Sequence, residues 1–285
     1  MAGTLFVVAT PIGNLEDITA RALRVLREVA LIAAEDTRRT AHLLARYGIT
    51  TRTTSLHEHN ERGKASTLIS RLQAGENVAL VSDAGTPTVS DPGVHLIAAA
   101  VESGIRVESV PGPNAAVAAL SVSGLSTDSF TFLGFPPTKA KDRTSWFNRL
   151  RGAGPTVVFY EAPHRIKRTL EEIQAKIGDV PIVLARELTK VHEELVRGPI
   201  SRVLSGNLTA LGEFTVVVNI GHLTDFNITN SAQPPSDQAI VAEFGLLTTN
   251  RVNTRRQAIA ALSRKYGLSA KHTYRVLEEA KRSGS

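Results

Sequence analysis

The sequence predicts an α/β protein with two α/β domains followed by a small helical domain. In the first part of the chain, short apolar runs such as residues 4–10 alternate with amphipathic runs such as residues 18–29. Strands that alternate with helices are typical of a parallel sheet that is covered on both faces. From about Ser126 onward, several strand-like runs follow one another with few helices between them, which predicts a mixed or largely antiparallel second sheet.

The domain boundaries follow from breaks in this pattern. We expect an N-terminal parallel α/β domain over residues 1–120 and a mixed-sheet α/β domain over residues 121–224. A polar, proline-bearing stretch then predicts a linker at residues 225–235. The remainder, residues 236–285, contains helical patterns separated by a turn and is predicted to form a basic, helix-turn-helix-like domain.

Composition excludes several classes of protein. The chain has 285 residues and no cysteine, which removes disulfides, thiolate metal sites and cysteine nucleophiles and fits a cytoplasmic location. Apolar runs are too short to span a membrane, and the N-terminus is predicted to form a first strand and not a signal peptide. We therefore expect no membrane association.

The positive charge is concentrated at the C-terminal end. Nine Lys or Arg and four Asp or Glu lie in residues 235–285, which therefore carry +5 of the net charge of +6. A basic surplus at one end predicts a polyanionic partner such as a nucleic acid. The alternative is a solvated helix face or a small bundle that packs on the protein itself. The nucleic-acid-binding candidates in this region are Arg255, Arg256, Lys271 and Arg275.

The run from Leu80 to Gly93, LVSDAGTPTVSDPG, joins an apolar strand to a helix. It is either an ordinary turn-rich loop or a ligand-binding loop, because ligands of open α/β sheets usually bind at the carboxyl ends of strands. The chain lacks the glycine-rich signatures of dinucleotide and P-loop nucleotide sites and the nucleophile motif of α/β-hydrolases.

Charged residues follow several predicted strands and predict a polar cleft between the two domains. They fall into three groups: Glu35, Asp36 and Arg38; Glu161, His164 and Arg165; and Arg186, Glu187 and Lys190. Salt bridges that tie loops together are the structural alternative. His57 and His59 could ligate a metal, but without a further ligand cluster we expect no metal site.

Seven motifs, in this order, resemble the S-adenosylmethionine-dependent tetrapyrrole methylase family. They are ATPIGNLEDIT, AAEDTRRT, VSDAGTPTVSDPG, VPGPNAAVAAL, FYEAPHR, LARELTK and GEFTVVV, and they cover residues 4–221. Within the family they are most similar to the subfamily that modifies ribosomal RNA, and the helical tail resembles the C-terminal domain of many of its members. The resemblance implies two α/β domains with the cofactor cleft between them.

The resemblance also implies which residues bind S-adenosylmethionine. In the family, backbone groups of the loop that corresponds to Leu80 to Gly93 contact this cofactor, and the small residues Ala84 and Gly85 permit a close approach. The cofactor-binding candidates carried over are Pro11, Asp83, Ala84, Gly85, Thr86, Val89, Ser90, Gly112, Asn114, Ala115, Tyr160, Arg186, Glu187 and Leu188. Family members that methylate tetrapyrroles usually have G-G-D-P where this chain has Ala84 to Pro87.

The reaction that the resemblance implies is methyl transfer to the ribose 2′-hydroxyl of a cytidine in the decoding region of 16S ribosomal RNA, by a cytoplasmic homodimer. The candidates for receiving the hydroxyl proton are Glu35, Asp36 and Glu161, with His57 as a further alternative. Arg38 and Arg165 are expected to hold RNA phosphates. Two other functions remain open, namely tetrapyrrole methylation and a non-catalytic regulator that binds nucleic acid.

Overall fold

The computed structural model describes residues 1–206, 208–221, 240–241, 243–244, 254–266 and 270–283. These residues belong to two compact units, Met1–Ile220 and Gly221–Ser285. The predicted linker at residues 225–235 lies outside the described residues. Among the described residues, no helix has the length and the apolar character needed to cross a membrane.

The first unit begins with a five-stranded sheet in which every pair of neighbours is parallel. Its strands are β1 (Thr4–Val8), β2 (Leu31–Ala34), β3 (Thr53–Ser55), β4 (Val78–Val81) and β5 (Arg106–Val110). The spatial order is β3-β2-β4-β1-β5. Strands β1 and β4 are therefore neighbours in the sheet, although β2 and β3 lie between them in the chain.

Helices cover both faces of this sheet. They are α1 (Ala20–Glu28), α2 (Thr37–Arg46), α3 (Glu61–Gln73) and α4 (Val94–Glu102). Ile32 and Ala34 pack with α1 and α2, whereas Leu31 and Ala33 pack with α3 and α4. Successive side chains of a strand point to opposite faces, so a strand buried on both faces needs apolar residues throughout.

The second sheet is mixed, as the sequence predicts. Its strands are β6 (Phe130–Phe132), β7 (Thr156–Glu161), β8 (Pro181–Arg186), β9 (Glu194–Pro199) and β10 (Phe214–Asn219). In the order β6-β7-β10-β8-β9, only β6 and β7 pair in parallel. The predicted α/β class with two sheets is confirmed.

Helix α5 (Ala115–Ser123) packs on this second sheet through Ala119 and Leu120, which contact Val158 and Val217. The sequence predicts this helix at the end of the first domain, and the expected boundary between residues 120 and 121 falls within it. The boundaries of the domains remain a prediction.

Three further helices belong to the second sheet: α6 (Ala140–Gly152), α7 (Pro163–Lys176) and α8 (Ile200–Ser205). The sequence predicts a loop over residues 136–143, but α6 already begins at Ala140. Trp146 and Leu150 of α6 are fully buried, and the Trp146 ring contacts the Phe159 ring edge to face at 5.2 Å. Packing of these large side chains against β7 therefore stabilises the helix.

In the second unit, α9 (Arg255–Tyr266) and α10 (Ala270–Ser283) surround a small core. Leu262, Val276 and Leu277 are buried in it together with Ile240. Thr254 precedes α9 and exchanges hydrogen bonds with Gln257, which forms a capping box. Two of the three helices expected here, α9 and α10, are present in the described part, whereas most of the first expected helix, residues 236–245, and the side chains of Arg256 and Lys271 lie outside it.

Candidate active site

A cavity of about 400 Å³ opens at the carboxyl edge of the first sheet. The loops that follow β1 and β4 meet there, because Thr10 and Gly85 exchange backbone hydrogen bonds of 2.8 and 3.0 Å. The Thr10 hydroxyl also donates to the Ser82 carbonyl oxygen at 3.1 Å. This is the edge at which open α/β sheets bind ligands.

Both sheets contribute to the lining of the cavity. The first half of the lining, which comes from the segment up to Ala115, consists of Ile12, Glu35, Arg39, Asp83, Ala84, Gly85, Thr86, Val89, Ser90, Asp91, Asn114 and Ala115. The second half, which comes from the second sheet and its loops, consists of Phe135, Tyr160, Glu161, Ala162, Pro163, Ala185, Leu188, Glu213, Phe214 and Thr215. Both halves thus contribute carboxyl groups beside apolar side chains, and the volume of the cavity suits a small-molecule ligand.

The loop after β4 is held rigidly in an unusual conformation. Thr88 and Ser90 have φ values of 72° and 70°, in the left-handed region that residues with side chains rarely adopt. The Thr86 hydroxyl donates to the Pro113 carbonyl oxygen at 3.2 Å. Gly93 has a φ of 126°, and a Cβ there would lie 2.6 Å from Leu80 Cδ2. Strained backbone of this kind is concentrated at functional sites.

Aromatic rings form the side of the cavity that belongs to the second sheet. Tyr160 packs edge-on against Phe132 at 4.9 Å and against Phe135 at 5.4 Å between ring centroids. Phe135 is half exposed although it lines the cavity, so its ring lies at the mouth. A Cβ on Gly134 would lie 3.3 Å from Ser90 Oγ, which shows how closely this segment approaches the loop after β4.

Three carboxyl groups of the first half, those of Glu35, Asp83 and Asp91, line the cavity. Glu35 accepts a hydrogen bond of 3.2 Å from the Asp83 backbone N–H, and partial burial raises the pKa of its carboxyl group. Asp91 is hydrogen-bonded through its side chain to the Ser82 hydroxyl. Burial, together with the charges of Glu35 and Asp83, raises the pKa of Asp91 to about 7, while a contact with the Ser82 hydroxyl opposes that shift.

Asp36 has a structural task that limits its use as a base. Its side chain caps α2 by accepting from the Arg38 backbone N–H at 2.9 Å. It also forms an ion pair of 2.7 Å with the Arg38 guanidinium, which holds the pKa of the Asp36 carboxyl well below its usual range. Asp36 does not line the cavity, so its proposed catalytic role has no geometric support.

Glu161 lines the cavity but is already fully bonded. Its carboxylate pairs with the Arg165 guanidinium at 2.6 Å and accepts from the Thr169 hydroxyl at 2.5 Å and from the Ala162 N–H at 2.8 Å. Thr169 in turn accepts from Arg143, a buried cation. Glu161 is therefore part of a buried network that anchors α7.

Most cofactor-binding candidates surround the cavity. Those that line it are Asp83, Ala84, Gly85, Thr86, Val89, Ser90, Asn114, Ala115, Tyr160 and Leu188; those that do not are Pro11, Gly112, Arg186 and Glu187. Arg186 pairs with Glu194, and Glu187 pairs with Lys190. Pro11 directly precedes the lining residue Ile12. The role of each of these residues in binding remains a prediction.

The candidates for RNA binding are scattered. Arg38 is largely exposed beside Asp36, whereas Arg165 is mostly buried by its pair with Glu161. In the second unit, Arg255 pairs with Glu278 and lies over the Tyr274 ring, and Arg275 lies near Glu279. Their contacts with RNA remain predictions.

Sequence reasoning missed several lining residues. Asp91 lies within the motif from Leu80 to Gly93 but is typical of a turn, and Phe135 is the last residue of a predicted strand, residues 130–135, that carried no binding candidate. Arg39 lines the cavity and lies 3.5 Å from Asp83, whereas the sequence pattern points to its neighbour Arg38. The sequence signal that could have found Asp91 is its position after the carboxyl end of β4. Every residue of that loop shares this position, so the signal does not distinguish Asp91 from its neighbours.

His57 does not belong to a metal cluster. Its Nε2 lies 3.0 Å from the Asn60 side-chain nitrogen, and its Nδ1 is buried without a partner. In the described part of the chain, no group of three His, Cys, Asp or Glu residues could hold a metal ion.

The arrangement of two sheets around this cavity is typical of one protein family. The family model of the tetrapyrrole (corrin/porphyrin) methylases matches residues 4–204. The fold is similar to that of a diphthine synthase, with a TM-score of 0.59 at 16% identity, covering 76% of this chain and 90% of that one. It is also similar to Thermus thermophilus uroporphyrin-III C-methyltransferase complexed with S-adenosylhomocysteine, with a TM-score of 0.56 at 18% identity, covering 79% of this chain and all of that one.

Relatives of higher sequence identity indicate the group within this family to which the chain belongs. The chain is 52% identical to the ribosomal RNA small subunit methyltransferase I of Pseudomonas aeruginosa, over 76% of this chain and 79% of that protein. It is 47% identical to the protein of the same name from Halalkalibacterium halodurans, over 76% and 75%. The chain belongs to the tetrapyrrole methylase family and, within it, to the group of ribosomal RNA small subunit methyltransferase I.

Proposed function

We propose that this protein transfers a methyl group from S-adenosylmethionine to the ribose 2′-hydroxyl of a cytidine in the decoding region of 16S ribosomal RNA. The observation that carries this proposal is the identity of about half of the aligned residues to relatives named for methylation of small-subunit ribosomal RNA. The cavity at the carboxyl edge of the first sheet is where the methyl donor would bind.

The residues of the cavity fit this cofactor. S-adenosylmethionine carries a positive sulfonium group and a positive ammonium group, and the carboxyl groups of Glu35 and Asp83 in the lining supply negative charge. Small residues at Ala84 and Gly85 leave the backbone of the loop accessible to a ligand, and Leu188 and Phe214 offer apolar surface. Because contacts already constrain the loop after β4, it would position the ligand without further reorganisation.

The bound cofactor supplies a methyl group that is activated by its sulfonium, so the reaction needs no metal. The protein has two tasks. It must orient the ribose hydroxyl oxygen toward the methyl carbon, and it must accept the hydroxyl proton, because a neutral sugar hydroxyl is a weak nucleophile. Phe135 and Tyr160, at the mouth of the cavity, are positioned to contact the incoming nucleotide.

The substrate would be the free 16S RNA or the small ribosomal subunit, which places the protein in the cytoplasm. The basic residues 235–285 would add affinity for phosphates that does not depend on sequence. Assembly as a homodimer is part of the proposal and rests on the resemblance alone.

Transfer of a labelled methyl group tests the proposal. Purified protein and labelled S-adenosylmethionine would be incubated with small ribosomal subunits, with free 16S RNA and with a tetrapyrrole. We expect label in one of the two RNA samples and none in the tetrapyrrole. Label in the tetrapyrrole alone would contradict the proposal.

A further inference from the structure

Asp91 lies where the two halves of the cavity meet. Glu35 and Asp83 approach it from the first sheet, and its charge acts in turn on Tyr160 of the second sheet. The nearby cation of the lining, Arg39, is largely exposed and is directed at Asp83. The charged and titratable groups that act on Asp91 are thus two carboxyl groups and a tyrosine.

Asp91 differs from Glu161, Glu213 and Asp83 in the lining, because among the described residues it makes no ion pair and its side-chain hydrogen bond is with the neutral Ser82 hydroxyl. Glu161 is bonded to Arg165 and Thr169, Glu213 pairs with Lys190 at 3.0 Å, and Asp83 accepts from the Asp36 N–H at 2.9 Å. In the described part of the chain, no Lys, Arg or His lies within ion-pair distance of Asp91. Its carboxyl group is half buried and faces the cavity.

The backbone around Asp91 is constrained on both sides. Ser90, directly before it, has a φ of 70°, and Gly93, two residues after it, is packed against Leu80. Left-handed conformations cost about 1–3 kcal/mol at residues with side chains, so they persist only where the surroundings impose them. The loop therefore fixes where Asp91 presents its carboxyl group.

We propose that Asp91 is the group that accepts the proton of the target hydroxyl. This inference rests on the proposed function. As the hydroxyl oxygen forms its bond to the methyl carbon, the carbon–sulfur bond breaks and its electron pair stays on sulfur, which becomes a neutral thioether. The hydroxyl proton passes to an Asp91 carboxylate oxygen and is later released to water.

The titration of Asp91 agrees with this role. A general base acts best when its pKa lies near the operating pH, and Asp91 has a pKa of about 7. The low pKa of Asp36 makes that residue a far weaker proton acceptor. Glu35 also has a raised pKa, but its oxygen already accepts the Asp83 N–H.

Three variants test the assignment: Asp91→Asn, Asp91→Glu and the matched control Asp128→Asn. Asp128 is exposed, and it precedes β6 at the end of the second sheet opposite the cavity. Single-turnover methyl transfer would be measured across pH 5.5–9, together with the Kd of the cofactor and of the RNA. These binding constants separate loss of the proton acceptor from loss of binding.

We expect Asp91→Asn to lower the single-turnover rate about 10²- to 10⁴-fold, the usual contribution of a general base, with little change in either Kd. Wild type should show a rate that rises through pH of about 7 and then levels, and Asp91→Asn should lose that rise. Asp91→Glu should recover part of the rate, and Asp128→Asn should match wild type.

A second readout does not depend on turnover. In protein labelled with ¹³C at the aspartate carboxyl carbons, one resonance should titrate near pH 7 and be missing from Asp91→Asn. An Asp91 resonance that titrates near 3.8, or an Asp91→Asn variant with the rate and pH profile of wild type, would overturn the assignment while the proposed function stands. Wild-type protein that methylates no RNA would remove the proposed function and this assignment together.

Discussion

Asn14 and Thr189 are 175 residues apart in the chain, and the Asn14 backbone N–H donates to the Thr189 hydroxyl at 2.9 Å. This bond joins the loop after β1 to the turn after β8. The turn itself is constrained, because Glu187 and Thr189 both have φ values in the left-handed region, 52° and 66°. This contact ties together two segments that contribute Ile12 and Leu188 to the lining of the cavity.

Substitution of Gly13 should disturb this contact. A Cβ on Gly13 would lie 2.5 Å from Lys190 Cγ and 2.9 Å from the Leu188 carbonyl oxygen, so the turn after β8 must shift. We expect Gly13→Ala to destabilise the protein by about 1–3 kcal/mol, as overpacking usually does, and to weaken cofactor binding. Calorimetric titration and urea unfolding measure the two effects.

The control for that experiment is Gly63→Ala. Gly63 lies inside α3, and a Cβ there would meet nothing within 4 Å. Alanine in a helix interior should stabilise the protein by about 0.5–1 kcal/mol and leave cofactor binding unchanged. If both variants bound the cofactor like wild type, the contact between the two loops would not matter for binding.

The Glu161 network should act on stability. Glu161→Gln leaves the Arg165 guanidinium without its buried counter-charge, and we expect a loss of about 3–5 kcal/mol in the free energy of unfolding. Arg168→Ala, which removes an exposed pair with Glu172, should cost less than about 1 kcal/mol. A Glu161→Gln protein of full stability that had lost methyl transfer would instead support a catalytic role for Glu161.

Asp91 should impose a cost in stability that depends on pH. Its pKa is raised to about 7 from an ordinary value of 3.8, so the folded state binds its proton more tightly than the unfolded state does. The free energy of unfolding therefore falls as pH rises between these two values. Asp91→Asn should consequently have a higher Tm than wild type at pH 8 and nearly the same Tm near pH 4.

The same pair of melting curves can refute that expectation. A difference in Tm between wild type and Asp91→Asn that is constant from pH 4 to pH 8 would mean that Asp91 titrates alike in the folded and unfolded states.

Phe135 should contribute to binding of the nucleotide. Its half-exposed ring rests on Tyr160 at the mouth of the cavity, and stacking of a base on an aromatic ring contributes about 1–3 kcal/mol. We expect Phe135→Ala to weaken RNA binding about tenfold or more, and Phe135→Tyr to preserve it. Phe130→Ala removes a comparably exposed ring at the far end of the sheet and should have no effect. Equal RNA affinities of the two alanine variants would exclude stacking on Phe135.

The C-terminal residues should control how RNA affinity depends on salt. Each phosphate contact adds a slope of about −0.7 to −0.9 to the plot of log K against log salt concentration. Deletion of residues 235–285 removes the basic surplus of the chain and should flatten that plot while leaving the Kd of the cofactor unchanged. An unaltered slope would assign these residues to folding or assembly.

The sequence predicted the fold well, because the signals for it are local. Runs such as Val78 to Val81 are apolar at every position, and in β4 all four residues are buried. Strand β3, by contrast, consists of Thr53, Thr54 and Ser55 and has no apolar pattern. Its strand conformation comes from pairing with β2, which the sequence of β3 itself does not encode.

The functional site was predicted less completely, because it depends on contacts between distant segments. Asp36 and Glu161 were chosen for their positions at strand ends, but Asp36 caps α2 and Glu161 is bonded to Arg165 and Thr169. The raised pKa of Asp91 arises from burial, from the Glu35 carboxyl group, which follows another strand, and from Asp83 of the same loop. Spacing along the chain does not reveal such environments.

The most direct test of the account is the chemical identity of the methylated nucleoside. Small subunits from cells that lack this activity would be treated with the protein and S-adenosylmethionine, and the RNA would be digested and analysed by mass spectrometry. The account predicts one new 2′-O-methylcytidine, mapped to the decoding region, that is strongly reduced with Asp91→Asn. A methyl group on a base, or on a ribose elsewhere in the RNA, would contradict it.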